Sequence, residues 1–281
     1  MKTRVYKTFQ KVHFNNAVFI LGGFETIHQG HLQLIKTAKA LKDVDDIVVF
    51  LISNPSDLPN IRDGNIMQLE VRLDWLADLG IKHIVVLNFH EIQNLEAPYF
   101  IKQLINIGAK YLIVGEDYRL GKNAAWDAEK LQQYFNNTII VELLKFNNIK
   151  ISSSLLKESI IFGELDYLNH FLYKPYSINI TRIADSFEAY WPENITQLAK
   201  GIYFANLLFA NKEFHGIVKI GFNQKLSFKI LDEDFDTINT SDLRIEFLEK
   251  SRTIISTERD QITEKDTENA MNFFLKIKNN L

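Results

Sequence analysis

AVFILGGFETIHQGHLQLIKTAKAL (residues 17–41) decides how the rest of the chain is read. An unbroken apolar run, AVFIL, meets two glycines. A short stretch then holds two of the chain's seven histidines, His28 and His31, around Gly30, before an amphipathic run begins. Five apolar residues without alternation suit a strand covered on both faces, and the spacing in LQLIKTAKAL suits a helix. Gly22 and Gly23 let the backbone turn and pass close to a bulky ligand. The unpaired N–H groups and positive dipole end of the helix that follows make an anion site. His28 and His31, spaced i, i+3, share one face at the helix entrance, and Gly30 keeps the space between them clear. Each imidazole can donate an N–H to an oxygen gaining charge during displacement at phosphorus. The plainer reading of the same residues is a helix start capped and packed by two histidines. A metal site is disfavoured, because no Asp or Glu stands at third-ligand spacing and Glu25 sits on a tight turn pointing elsewhere.

The pattern continues outward. DIVVFLISN (46–54), KHIVVLNF (82–89), KYLIVG (110–115) and TIIVELL (138–144) read as strands. Between them, NIMQLEVRLDWLADLG (65–80), PYFIKQLINIG (98–108) and WDAEKLQQYF (126–135) read as helices, the first closed by Gly80. Strand and helix in alternation imply βαβ units, a parallel sheet, and ligands beyond the carboxyl ends of the strands. SSLLKESIIFGELDYLNHFL (153–172) reads as helix broken near Gly163. The character changes after KPYSI (174–178). GIYFANLLFA (201–210), HGIVKIGF (215–222), LSFKILD (226–232) and LRIEFLE (243–249) are strand-like, with a hairpin turn expected at Asn211–Lys212 and a charged helix over 266–279. The expected architecture is α/β: a Rossmann-like parallel-sheet domain over 1–177, then a small antiparallel β-barrel or sandwich over 178–281 ending in a helix.

Composition narrows the chemistry. Hydrophobic residues at 46% and charged residues at 24% are those of a soluble globular protein. No stretch approaches the roughly 18 apolar residues of a membrane helix, and MKTRVYKTFQKVHF has no signal-peptide core. A cytoplasmic protein is expected. The absence of cysteine excludes disulfides, thiolate metal sites and cysteine nucleophiles. A net charge of −3 argues against a general nucleic-acid binder. His13, His83, His90, His170 and His215 are isolated and read as packing or surface residues.

With these residues in view, AVFILGGFETIHQGH resembles the GxFDxxHxGH signature of HIGH-type nucleotidyltransferases, specifically of prokaryotic bifunctional riboflavin kinase/FAD synthetases. Three more stretches resemble that family in order: LEVRLDWLADLGIKHIVVLNF (69–89), IGAKYLIVGEDYRLGK (107–122) and ISSSLLKESIIFGELDYLNHFLYKPYSI (151–178). The resemblance covers residues 15–178. It implies ATP and FMN as substrates with Mg²⁺, catalytic roles for His28 and His31, and an ATP pocket shaped by Gly22, Phe24 and Gly30. It places Ser152, Ser153, Ser154 and Lys157 at the ATP phosphates, and Asp117, Tyr118 and Arg119 at FMN. It names no metal ligand and no oligomeric state. Read alone, Ser152–Ser154 make an ordinary helix cap and Gly121–Lys122 a turn. The departures are Glu25 for Asp, Thr26 for Gly, and Lys157 for Arg; lysine keeps the charge but loses the bidentate fork.

Beyond residue 178 the resemblance thins. GIYFA, HGIVKIG and LRIEFLEKSR resemble landmarks of the family's riboflavin kinase barrel, but the Gly-rich GxPTAN segment is absent, and Ser227 stands where the catalytic Glu belongs. The resemblance therefore implies FMN adenylyltransferase activity with the kinase activity lost. The alternatives are a bifunctional enzyme, a non-catalytic flavin- or nucleotide-binding module, and a related transferase acting on another phosphate.

Overall fold

The computed structural model describes residues 2–9, 11–58, 64–183, 186–209, 212–222, 225–232 and 241–279. They form two compact units, residues 1–65 with 72–153 and residues 66–71 with 154–281.

The first unit is built on a six-stranded sheet in the order Arg4–Tyr6, His83–Leu87, Ile47–Ile52, Ala17–Leu21, Ala109–Gly115, Thr138–Val141. Every neighbouring pair is parallel. The central strands are the unbroken apolar runs, and Ala17–Leu21 is buried along its whole length, as a strand covered on both faces must be. Phe14, Phe19, Phe50, Phe9 and Phe100 meet edge-on or tilted on one side of the sheet, with centroids 4.9 to 6.4 Å apart. The helices Gln29–Ala40, Ala97–Asn106 and Ala128–Tyr134 fall where the periodicity places them. From Ala17–Leu21 the chain steps one way across the sheet to Ile47–Ile52 and His83–Leu87. It then returns past Ala17–Leu21 to Ala109–Gly115. The strand order thus reverses between Ala17–Leu21 and Ala109–Gly115, the switch point whose carboxyl ends are where open α/β sheets bind ligands.

The edge strand Arg4–Tyr6 was not expected. It is three residues long, pairs with His83–Val85, and is anchored by Tyr6 Oη against His83 Nδ1 at 3.0 Å. His83 is thus a packing residue, as expected, with Asp46 3.3 Å from its other nitrogen.

The second unit holds the helices Ser153–Phe162 and Leu165–Phe171 and a six-stranded antiparallel sheet. The break at Gly163 (φ +71) is where the sequence places it. The sheet runs Ser177–Thr181, Asp242–Thr253, Gly201–Phe209, Lys212–Ile220, Lys225–Ile230, Glu188–Tyr190. A bridge from Arg182 to Ala189 brings its two edges together, so the sheet is a nearly closed barrel rather than a sandwich. Tyr176, Trp191 and Tyr203 all pack on Phe247 and fill it. The final helix, Glu264–Asn279, lays Ala270 and Phe274 on Ile202, Phe204 and Ile217. Phe209 and Lys212 are cross-strand partners as a tight hairpin requires, while Asn211 of the expected turn lies outside the described residues. Residues 66–71 join this unit through Gln68, whose side chain exchanges two hydrogen bonds with the backbone of Asn179 at 2.7 and 2.8 Å.

One buried cation organises the crest of the parallel sheet. The stripe Val71, Arg72, Trp75, Leu76 of the helix Leu69–Asp78 faces inward, and Arg72 is 1% exposed. Its guanidinium donates to the carbonyls of Phe24 (3.1 Å), Ile52 (2.8 Å) and Ser53. Replacing it with methionine keeps the apolar stem but strands these acceptors. Arg72→Met is expected to lower the unfolding free energy by about 3–5 kcal/mol in urea titrations, and a loss below about 1 kcal/mol contradicts this role.

Candidate functional site

The loop that leaves the central strand Ala17–Leu21 enters the helix Gln29–Ala40 through His28, whose extended backbone (φ −115, ψ 173) makes it the N-cap. A histidine can fill this position because its Nδ1 accepts a hydrogen bond from the Gly30 N–H at 3.1 Å. The His28 carbonyl accepts from Leu32 N–H at 3.0 Å. Gly30 leaves room for the ring: a Cβ there would lie 2.9 Å from His28 Cε1, so the imidazole would have to shift. The Gly30 amide therefore serves His28 rather than an incoming anion.

The two imidazoles face each other, with centroids 4.0 Å apart and planes at 36°. The Phe24 ring stacks on His31 at 4.4 Å and 25°. His28 is 8% exposed, and burial lowers its pKa to about 4; the Asp117 carboxylate pulls it back up, and the Lys150 ammonium pushes it further down. Burial, and then His28 itself, hold His31 well below the usual histidine range. Both rings are thus neutral at pH 7. Since His28 Nδ1 accepts, its single proton resides on Nε2, where it can be donated. His31 Nδ1 is buried and has no hydrogen-bond partner among the described residues.

Asp117, just beyond the strand Ala109–Gly115, lies close enough to His28 to act on its ionisation. It pairs with Lys150 at 2.6 Å, both side chains being roughly half-exposed. Lys150 ends a small hairpin, Lys145–Phe146 with Ile149–Lys150, whose turn residues Asn147 and Asn148 have φ of +49 and +66. Nothing in the sequence singled Lys150 out, although it immediately precedes ISSS. Exposed pairs of this kind contribute only about 0–1 kcal/mol, so an anionic ligand can replace Asp117 as the partner of Lys150.

The other residues of the sequence reading are more scattered. Gly22 adjoins the Phe24 ring. Tyr118 packs on the core of the first unit, and burial raises its phenol far above the ordinary range. Arg119 is exposed and donates to the Tyr118 carbonyl at 3.3 Å. Ser153 and Ser154 open the helix Ser153–Phe162, and Ser152 precedes it. Lys157 is buried one turn further on, 7% exposed. Glu25, read as pointing away on a tight turn, is itself buried.

The protonation state of His28 is measurable. Its ¹⁵N and ¹³C resonances should keep a neutral, Nε2-protonated pattern from pH 8 to below 6 and titrate near 4. The unfolded chain takes up this proton near 6.5 and the folded one only near 4. The stability that neutral His28 contributes is therefore complete above pH 6.5 and is withdrawn as the pH falls toward 4. Titration near 6.5 in the folded protein contradicts the burial described.

The chain is similar to known proteins. A bifunctional riboflavin kinase/FMN adenylyltransferase of Buchnera aphidicola subsp. Schizaphis graminum is 26% identical over 236 residues, 75% of each chain. An FAD synthetase of Listeria monocytogenes serovar 1/2a is 24% identical over 221 residues, 75% of this chain and 89% of that one. A crystal structure described as a macrolide-efflux protein from Streptococcus pneumoniae superimposes with a TM-score of 0.81 over 98% of both chains at 22% identity, a likeness of fold alone. No helix among the described residues is long and apolar enough to cross a membrane. The model of the FAD synthetase family matches residues 10–155, just over half of the sequence, and the chain belongs to that family.

Proposed function

We propose that this protein is an FMN adenylyltransferase acting in the cytoplasm, making FAD and pyrophosphate from ATP and FMN. The observation that carries the reading is the neutral imidazole pair, 4.0 Å apart, at the point where the strand order reverses. An FMN phosphate oxygen attacks the ATP α-phosphorus in line. The bond from that phosphorus to the oxygen bridging to the β-phosphate breaks, and pyrophosphate leaves with that oxygen. Charge accumulates on the non-bridging α-oxygens, where His28 Nε2–H and His31 can donate without carrying a charge of their own. An unpartnered buried nitrogen on His31 suits a site that a ligand completes. Lys150 exchanges Asp117 for a phosphate, and Ser152–Ser154 with Lys157 attend the β- and γ-phosphates at their helix start. Asp117, Tyr118 and Arg119 face the FMN side, Tyr118 as a packed wall rather than a polar contact. Among the described residues no group of three or more His, Asp or Glu side chains is placed to hold a metal ion. Mg²⁺ is accordingly assigned to the triphosphate, with no protein ligand named.

Residues 1–177 are proposed to carry this chemistry, and the barrel over 178–281 to be kept without kinase turnover. On the barrel sheet Ser227 stands between Glu188 and Lys219 as cross-strand neighbours. Ser227 offers a hydroxyl where a base is needed, and Glu188 is half-exposed and lies 3.9 Å from Lys225. The bifunctional name of the Buchnera relative favours the second reading, an enzyme with both activities.

Product chromatography separates these readings. With FMN, ATP and Mg²⁺ the protein should release FAD and pyrophosphate; with riboflavin and ATP it should make no FMN, and steady FMN formation establishes the bifunctional reading instead. His28→Ala and His31→Ala should each lower FAD formation by roughly 10²–10³ while leaving the circular dichroism spectrum unchanged. Near-normal rates in both would remove the mechanism.

A further inference from the structure

Phe24 occupies an unusual conformation. Its backbone lies in the left-handed region (φ +46), which bulky residues avoid, while its side chain is 1% exposed. Arg72 Nη1 clamps its carbonyl at 3.1 Å. The strained backbone sets the Phe24 ring against His31, 4.4 Å away at 25°. His31 needs this support more than His28 does. His28 is oriented by a hydrogen bond from Gly30 to Nδ1, whereas His31 Nδ1 has no such bond, so ring contacts with Phe24 and His28 orient it. Gly22 belongs to the same device. A Cβ there would stand 2.9 Å from Phe24 Cε2 and displace the ring.

We propose that Phe24 is a positioning residue for His31: its ring fixes the imidazole plane so that Nε2 meets the reacting phosphate, and Gly22 leaves the room that this requires. The resemblance places Phe24 in the wall of the ATP pocket; the stacking geometry adds a contact of its ring with His31. The inference rests on the FMN adenylyltransferase reading. It predicts a signature of its own, a defect in turnover rather than in ATP affinity, because misorienting a donor by a fraction of an ångström weakens the transition state more than the ground state.

The test combines kinetics with NMR of the His31 ring in the full-length protein. Phe24→Leu should lower kcat for FAD formation by about tenfold or more while KM for ATP changes less than about twofold, with Phe24→Tyr restoring most of the loss. The His31 Cε1–H and Cδ2–H resonances should shift as the ring current disappears, and those of His90 should not. Gly22→Ala, which keeps the ring but crowds it, should shift the same resonances and lower kcat, and is the variant to read if Phe24→Leu does not fold. A wild-type kcat in Phe24→Leu, or a loss confined to KM for ATP, overturns the positioning role. If His31→Ala also retains full rate, the role given to His31 falls with it; if the wild-type protein forms no FAD from FMN and ATP, the proposed function itself falls.

Discussion

The guanidinium of Arg72 reaches from a helix interior into the crest of the parallel sheet, where it takes up the carbonyls of Phe24, Ile52 and Ser53. Those carbonyls belong to the last residue of the strand Ile47–Ile52, to the residue after it, and to the loop that departs from the neighbouring strand Ala17–Leu21. Without the cation these acceptors would lose its N–H donors. The cation fixes the shape of the loop. Phe24 is held in a left-handed conformation, its ring meets His31, His31 meets His28, and His28 caps its own helix through the Gly30 amide. Each link constrains the next. Gly22 and Gly30 are the two positions where a side chain would break the series by collision.

The electrostatic consequence runs against the habit of placing a positive charge beside every phosphate. The paired histidines are held neutral by burial. In the proposed reaction, a buried neutral donor aimed at the developing charge would need no reorganisation. Positive charge comes instead from Lys150, half-exposed and paired with Asp117, where solvent keeps the pair weak and its partners exchangeable. Buried neutral donors beside a half-exposed cation suit the proposed reaction, whose charge moves from one phosphate toward another.

Much of the first unit was legible because parallel strands buried on both faces must be written as unbroken apolar runs, as AVFIL and IVVFLI are. The histidine pair was legible because its spacing, its glycine and its strand-to-helix position all carry chemical meaning at short range. What the sequence hid was non-local. Arg4–Tyr6 becomes a strand only because His83–Leu87 offers it an edge. Arg72 sits in the inward stripe of its helix, where pattern alone asks for an apolar residue, and its three acceptors lie 19 to 48 positions away. Lys150 carries no motif, and its meaning comes from Asp117, 33 residues earlier. Ser177–Thr181 and Glu188–Tyr190 were missed for the same reason, since their pairing along the barrel edges supplies what their composition does not.

The account turns on neutral imidazoles donating to the α-phosphate. A crystal structure with FMN and an ATP analogue whose α,β-bridging oxygen is replaced by methylene tests this most directly. The account predicts His28 Nε2 and His31 Nε2 within about 2.7–3.1 Å of non-bridging α-phosphate oxygens, with the FMN phosphate opposite the methylene group. An α-phosphate bound away from both rings, or an FMN phosphate on the same side as the leaving group, would contradict it.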